Sequence, residues 1–175
     1  KTIATEDGAT MNRWRDLCGD YIQDMQIYEY PHHEILRKPC RPVENITGEL
    51  RVLLDEMVPY MREHAGVGLA APQIGFDQRF FVVEAGGRVY KVINPEIVRL
   101  DDDKDTMKEG CLSVPGMTVT VERPVSITIR FQDPQGNTQE LKLGGLAARI
   151  FQHEYDHLDG KLIVDHMDFT CGMTD

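Results

Sequence analysis

Residues 152–163 read QHEYDHLDGKLI, and this stretch places two histidines and a glutamate within little more than one turn of a helix. His153 and His157 are four residues apart, so on a helix their imidazoles project from one face and can bind one cation. Glu154 follows the first histidine and would lie near that cation without binding it, where it can accept a proton from a bound water. The spacing is typical of a metal hydrolase, but it supplies only two ligands.

The third ligand is not fixed by this stretch. The metzincin pattern H-E-x-x-H-x-x-G-x-x-H continues through Gly160 but meets Ile163 where the last histidine should stand, which argues against that class of protease. Cys111 has a distinctive setting, EGCLSVPG over residues 109–116, although a lone cysteine is often only a small buried hydrophobe. Four other histidines lie outside any motif: His32, His33, His64 and His166. From the residues alone, the choice stays open.

A glycine-rich segment, GVGLAAPQIG over residues 66–75, is the third candidate for a functional loop. Gly66 and Gly68 allow unusual backbone angles and close approach of the chain to a ligand. Gln73 contributes the single strongly polar side chain. The segment lacks the GKS or GKT of a phosphate loop and the GxGxxG of a dinucleotide site, so a tight connection from helix to strand is the structural alternative.

One helix is predicted upstream of this loop, over residues 49–64, because apolar residues recur there at helical spacing. Thr47 is the expected N-cap, and Gly66 is expected to stop the helix. Pro59 lies inside the pattern and is expected to kink it.

The rest of the pattern predicts strands followed by one late helix. Residues 79–85 form a strand candidate, 93–100 form another that breaks near Pro95, and 125–143 form a hairpin with its turn at DPQGN. Residues 145–158 form the helix that carries the metal motif. This order favours an α+β fold with antiparallel β-sheets packed around that central helix.

Composition limits the function classes. The chain has 175 residues, enough for one domain, and a net charge of −10, which disfavours a nucleic-acid partner. Its apolar stretches are too short to span a membrane. The four cysteines are scattered, which disfavours a disulfide scaffold and favours a reducing compartment. We expect a mobile or lightly packed N-terminal extension over residues 1–24, a catalytic domain over 25–170 and a tail over 171–175.

Taken together, three segments in this order resemble the three signatures of the peptide deformylase family. They are GVGLAAPQ at residues 66–73, EGCLS at 109–113 and HEYDH at 153–157. The similarity runs from about residue 27 to residue 167 and includes YPHHEILRKPCRPV and GKLIVDHM. Three ordered motifs with every polar position filled are far more specific than any one of them.

The resemblance implies a metal-dependent hydrolase that removes the formyl group from N-terminal formyl-methionine and releases formate. It implies that Cys111 joins the two histidines as ligands of one divalent ion, with Fe(II) as the native ion and Zn(II), Ni(II) or Co(II) as substitutes. Glu154 would act as general base and then general acid while metal-bound hydroxide attacks the formyl carbon. The Gln73 amide and the backbone N–H of Leu112 would donate to the developing oxyanion.

The resemblance also implies the substrate contacts and the partners. Val67, Leu146 and Ile150 would line an apolar slot for the methionine side chain, with Arg149 at its rim. The full set of expected substrate-binding residues is Val67, Gly68, Leu69, Gly110, Leu146, Arg149 and Ile150. Glu109 and Arg123 are expected to pair and brace the Cys111 strand. We expect a monomer that acts on nascent chains near the ribosome, in the cytoplasm, or in an organelle if the source is eukaryotic.

Two other functions share parts of this pattern. A metallopeptidase would use the same water-activating chemistry on ordinary peptide bonds. An inactive binding module would keep a closed structural metal site, but such sites have four protein ligands and only three are identified here.

Overall fold

The computed structural model describes residues 25–167 of the chain and has the predicted α+β architecture. The predicted extension at residues 1–24 and the predicted tail at residues 171–175 lie outside the described residues. The two α-helices described are α1, Gly48–Glu63, and α2, Gly145–Leu158. Three 3-10 turns are Glu34–Arg37, Ala71–Ile74 and Ile163–His166. The strands are β1 Gly68–Ala70, β2 Phe80–Ala85, β3 Arg88–Leu100, β4 Lys104–Cys111, β5 Val114–Pro124, β6 Ser126–Gln132 and β7 Thr138–Gly144.

The strands form two antiparallel sheets, as predicted. The larger sheet has the order β1-β2-β3-β6-β7, and the smaller is the β4-β5 hairpin. Helix α2 contacts strands of both sheets, which brings the metal motif next to the hairpin. No helix in the described part of the chain is long and apolar enough to cross a membrane.

Strand β2 explains where the core lies. Its side chains alternate between two faces: Phe80 and Val82 pack in the cluster that contains helix α1, whereas Phe81 and Val83 pack in the cluster that contains helix α2. The larger sheet is therefore covered by a helix on each face, and a strand buried on both faces is apolar throughout rather than alternating.

Helix α1 confirms the predicted boundaries with one correction. The Thr47 hydroxyl accepts a hydrogen bond from the Leu50 N–H at 3.2 Å, as an N-cap should, and the helix runs on through Pro59. The residue that turns the chain in the left-handed region is Ala65, with φ of 54°, and not Gly66.

The β-structure contains two differences from the prediction. Strand β3 begins at Arg88 and continues past Pro95, because a register shift between Ile93 and Glu96 absorbs the proline. The β4-β5 hairpin was not predicted as a pair of long strands. Its first strand reads KDTMKEGC and buries only Glu109, so it carries no hydrophobic period that could reveal it.

Candidate metal centre

Three candidate ligands converge at the end of strand β4 and on helix α2. The ligand atoms of Cys111, His153 and His157 all lie within 4.8 Å of one another. The Cys111 sulfur is 3.4 Å from Nε2 of His157. The cysteine left open by the sequence is therefore the residue that meets the two histidines, and the four other histidines are not part of a ligand group within residues 25–167.

This donor set fits a divalent metal ion. In a tetrahedral site with metal–sulfur and metal–nitrogen bonds of about 2.3 and 2.1 Å, the ligand atoms are about 3.5 Å apart, which matches the sulfur–nitrogen distance. Burial disfavours a charged His153, but hydrogen bonds to Cys111 and Glu109 overcome it and raise the pKa of His153 to about 10. Burial lowers the pKa of His157, so that imidazole is neutral, as a ligand must be. The sulfur and the carboxylate thus favour positive charge at this centre, and a bound ion would replace the proton on His153, which must be neutral as a ligand.

Glu109 is the charged anchor of this centre. Its carboxylate accepts two hydrogen bonds from Arg123, at 2.7 and 2.9 Å, and one from Arg149 at 2.8 Å. It also contacts Nδ1 of His153 at 2.9 Å, which leaves Nε2 of that ring facing the ligand cluster. Burial alone would raise the pKa of Glu109, but its partners hold it well below the usual range. The predicted Glu109–Arg123 pair is therefore present.

Arg149 corrects a prediction. We expected it at the rim of a substrate slot, but it is only 5% exposed. Its guanidinium donates to Glu109, to the Val121 carbonyl and to both the carbonyl and the carboxylate of Asp105. The residue lies one helical turn before His153 and joins helix α2 to the β4-β5 hairpin. Its charge is therefore neutralised by partners within the protein.

Glu154 lies against a backbone that has no room for a side chain. An added Cβ at Gly68 would stand 2.3 Å from Oε1 of Glu154. The other oxygen, Oε2, is buried and has no hydrogen-bond partner among the described residues. Burial raises the pKa of this carboxyl to about 7. The glycine, expected to approach a ligand, instead approaches the protein's own candidate base.

Gln73 is fixed at both ends of its amide. Its oxygen accepts the N–H of Ala70 at 2.9 Å, and its nitrogen donates to the Ser113 hydroxyl at 3.1 Å and lies 3.7 Å from the Cys111 sulfur. Ser113 follows Leu112 in the turn between β4 and β5. The side chain of Leu112 would meet a Cβ at Gly66 at 2.9 Å, so this glycine too is required by close packing rather than by a special φ.

The apolar substrate-binding candidates divide by exposure. Val67 and Leu146 are 54% and 60% exposed, so both can contact a ligand. Ile150 is buried in the core beneath α2, and the Leu69 side chain is buried towards α1. Gly110 is exposed at the end of β4.

Met107 was missed by the sequence reasoning. It is 42% exposed and lies between Asp105 and Glu109 on one face of β4. Asp105 and Glu109 both bond to Arg149. Arg149 lies about one helical turn after Leu146 on helix α2. The position of Met107 follows from strand alternation only once residues 104–111 are known to form a strand, which the polar sequence KDTMKEGC does not reveal.

Comparison with known proteins identifies the relatives of this chain. A model of the polypeptide deformylase family matches residues 24–171. A peptide deformylase of Desulforudis audaxviator is 48% identical over 141 residues, which cover 80% of this chain and 91% of that protein. One from Thermotoga sp. strain RQ2 is 44% identical over 133 residues, covering 76% of this chain and 81% of that protein.

Solved structures agree in fold. The crystal structure of peptide deformylase from Thermotoga maritima has a TM-score of 0.80 at 42% identity and covers 82% of this chain and 97% of its own. That of a peptide deformylase from Synechococcus elongatus in complex with actinonin also has a TM-score of 0.80, at 37% identity, with 83% of this chain and 80% of its own covered.

Proposed function

Because the chain belongs to the polypeptide deformylase family, we propose that it removes the N-formyl group from the formyl-methionine of newly made polypeptides and releases formate. The observation that carries this proposal is the cluster of Cys111, His153 and His157 together with the buried Glu154, one of whose carboxylate oxygens has no hydrogen-bond partner within residues 25–167. A metal site with three protein ligands leaves room for water, whereas a structural zinc site has four.

Cys111, His153 and His157 would hold one divalent ion per chain. A thiolate with two imidazoles suits Fe(II) as well as Zn(II), Ni(II) or Co(II), and we propose Fe(II) as the native ion. When bound, such an ion supplies Lewis-acid activation of water near neutral pH. Metal analysis of protein purified without oxygen tests this choice.

Glu154 would move the proton. Water adds its oxygen to the formyl carbon and gives up a proton to the Glu154 carboxylate, and this proton passes to the amine nitrogen as the carbon–nitrogen bond breaks. The products are formate and a peptide with a free amino terminus. Burial raises the pKa of Glu154 towards neutrality, which favours a group that must both accept and return a proton.

The oxyanion of the tetrahedral intermediate would be stabilised by neutral donors. The Gln73 amide is held by Ala70 and Ser113 so that its nitrogen lies beside the ligand cluster. The backbone N–H of Leu112 would be the second donor. Loss of one such donor typically costs about 2.7–4 kcal/mol of transition-state stabilisation.

The peptide would bind as an added strand. Strand β1 is an edge of the larger sheet, so one side of its backbone is unpaired within the described strands. The backbone of Gly68 lies on this edge and Gly110 is exposed at the end of β4, so both would face the peptide backbone. Val67, Leu146 and Met107 are exposed apolar side chains that would receive the methionine side chain, and we propose Met107 in place of Arg149 as a wall of that slot.

The decisive experiment measures formate release from formyl-Met-Ala, with acetyl-Met-Ala and Met-Ala as controls. We expect turnover of the formyl peptide only, as for the family to which the chain belongs. Cleavage of the Met–Ala bond instead would support a metallopeptidase. Replacement of Glu154 by Gln should lower kcat by about 10²–10⁴-fold at unchanged metal content, and unchanged turnover would refute the role of Glu154.

In the cell, we propose that the protein acts as a monomer on nascent chains at the ribosome, in the cytoplasm or in an organelle if the source is eukaryotic. Size-exclusion chromatography with light scattering tests the oligomeric state.

A further inference from the structure

The segment Tyr28–Tyr30, which we call the strap, contacts both loops that carry the proposed oxyanion donors. The backbone N–H of Tyr28 donates to the carbonyl of Gln73 at 2.7 Å, and the N–H of Tyr30 donates to the carbonyl of Ser113 at 2.9 Å. The strap precedes every signature motif in the chain and has no catalytic side chain of its own in the proposed reaction.

These contacts close a ring of hydrogen bonds. The third bond is the one from the Gln73 amide nitrogen to the Ser113 hydroxyl, at 3.1 Å, between side chains that are almost completely buried. Leu112, whose N–H is the second proposed donor, immediately precedes Ser113. The ring therefore contains the Gln73 amide and lies next to the Leu112 N–H. The strap connects Gln73 and Ser113 on the side of the ring opposite their mutual hydrogen bond.

The strap is itself held in place. The Tyr28 ring stacks on His33 at 4.3 Å, and its hydroxyl lies so close to Gly75 that a Cβ there would be 2.8 Å away. Nδ1 of His33 lies 3.1 Å from both the backbone nitrogen and the carbonyl oxygen of Glu29, the residue between the two tyrosines. Alternate N–H groups thus point to the two loops while the intervening residue contacts His33, and this arrangement gives the strap a fixed length.

We propose that the strap is a positioning element for deformylation: it sets the separation between the Gln73 amide and the Leu112 N–H through the hydrogen bonds of Tyr28 and Tyr30. This inference rests on the proposed function. Preorganised donors lose much of their effect when they are displaced by about 1 Å. A loosened strap should therefore lower kcat, while KM and metal binding, which depend on other groups, stay nearly constant.

The test replaces single N–H groups in the full-length, nickel-loaded protein. Incorporation of the α-hydroxy acid analogue of tyrosine at position 28 or 30 turns the amide into an ester, which removes the donor and keeps the side chain. The matched control is the same replacement at Tyr90, which lies opposite Val83 in the β2-β3 ladder and outside the ring. Formate release from formyl-Met-Ala-Ser, metal content and thermal midpoint are measured for each.

We expect kcat to fall about tenfold for the esters at 28 and 30, with KM within about twofold of the wild type. The Tyr90 ester should match them in thermal midpoint and keep the wild-type kcat. A kcat within about twofold of the Tyr90 control in both strap esters would overturn the proposal.

A double-mutant cycle separates positioning from general structure. If the Tyr28 ester acts through Gln73, it should cause little further loss in a Gln73→Ala background. A full additional tenfold loss there would mean that the strap acts by another route. The encoded pair Tyr28→Ala and Tyr28→Pro repeats the comparison without chemical synthesis, because only proline removes the N–H.

The two proposals fail in different ways. A wild-type protein that is fully loaded with nickel and releases no formate would overturn the proposed function and the strap with it. An active wild type with strap esters equal to the control would overturn the strap alone.

Discussion

Glu109 and Glu154 are both buried carboxylates beside the same ligand cluster, yet their surroundings are opposite. Glu109 accepts hydrogen bonds from two arginines and contacts a histidine, and its pKa is held far below the usual range. Glu154 packs on Gly68, has one oxygen without a partner among the described residues, and has a pKa raised to about 7. The same chemical group is thereby an anchor in one place and a candidate base in the other.

The two surroundings belong to two regions of the molecule. The charged region joins helix α2 to the β4-β5 hairpin through Glu109, Arg123 and Arg149. The neutral region joins the β1 loop to helix α2 through the packing of Gly68 on Glu154. It joins the same loop to the β4-β5 turn through the packing of Gly66 on Leu112 and the hydrogen bond from Gln73 to Ser113. Fixed charges hold the proposed ligand His153, whereas the proposed oxyanion donors, the Gln73 amide and the Leu112 N–H, are neutral.

The largest expected effect comes from breaking the charged region. Glu109→Gln leaves the guanidinium groups of Arg123 and Arg149 buried with one fewer counter-charge. We expect the free energy of unfolding to fall by about 3 kcal/mol or more, and metal affinity to fall about 10–100-fold because His153 loses its oriented partner. Urea unfolding and metal competition with a chelator measure the two losses.

An exposed pair provides the matched control. Glu140 bonds to Arg130 across β6 and β7, with both side chains about half exposed, and Glu140→Gln should cost less than about 1 kcal/mol. The pKa of Glu109 is lowered from 4.5 on folding, so its ionised form stabilises the fold fully above pH 4.5 and progressively less below it. The stability gap between wild type and Glu109→Gln should therefore shrink as the pH falls. A gap that widened in acid would contradict this account.

The next largest effect comes from filling the neutral region. In Gly68→Ala the new Cβ would stand 2.3 Å from the Glu154 carboxylate, so the base must move. We expect kcat to fall about 100-fold, the cost of a displacement near 1 Å. Gly48→Ala is the control, because a Cβ there meets nothing within 4 Å. Wild-type kcat in Gly68→Ala would show that Glu154 tolerates displacement.

The sequence was most informative where periodicity or motif spacing was strong. Both helices and the β6-β7 hairpin follow directly from their apolar patterns, and the histidine spacing predicted the shared helix face. Cys111 could not be chosen by spacing, because its approach to His157 depends on how a separate hairpin docks on the helix. The family resemblance, rather than any local pattern, identified it.

Arg149 shows the opposite case, in which the expected position was wrong. The substrate slot drawn from the family resemblance placed Arg149 at an exposed rim, but the β4-β5 hairpin covers that part of the helix and supplies Glu109 and Asp105 as partners. Because β4 is polar in sequence, the covering hairpin was invisible to hydrophobic periodicity. Because the unpredicted hairpin is what buries Arg149, the two errors have the same cause.

The pH dependence of turnover sharpens the contrast between the two carboxylates. Glu154 must be ionised to act as a base, and its pKa is raised to about 7 by burial. A bound cation would lower that value, so we expect kcat/KM to decline about tenfold per pH unit below a midpoint at or under about 7. The residual activity of Glu154→Gln should not show this decline of kcat/KM at acid pH. A wild-type midpoint well above 7 would contradict this assignment.

The smallest effect is expected at the exposed end of the charged region. Arg149 donates to the Asp105 carboxylate at 2.6 Å, but that side chain is 57% exposed and the carbonyl of the same residue accepts a second bond at 2.9 Å. Since solvent screens an exposed charge, and Arg149 keeps Glu109, Asp105→Asn should cost less than about 1 kcal/mol in urea unfolding, and less still in high salt. If Asp105→Asn lowered the free energy of unfolding as much as Glu109→Gln does, the contribution of these ion pairs would not depend on burial. The distinction between the buried and exposed ends of the charged region would then be wrong.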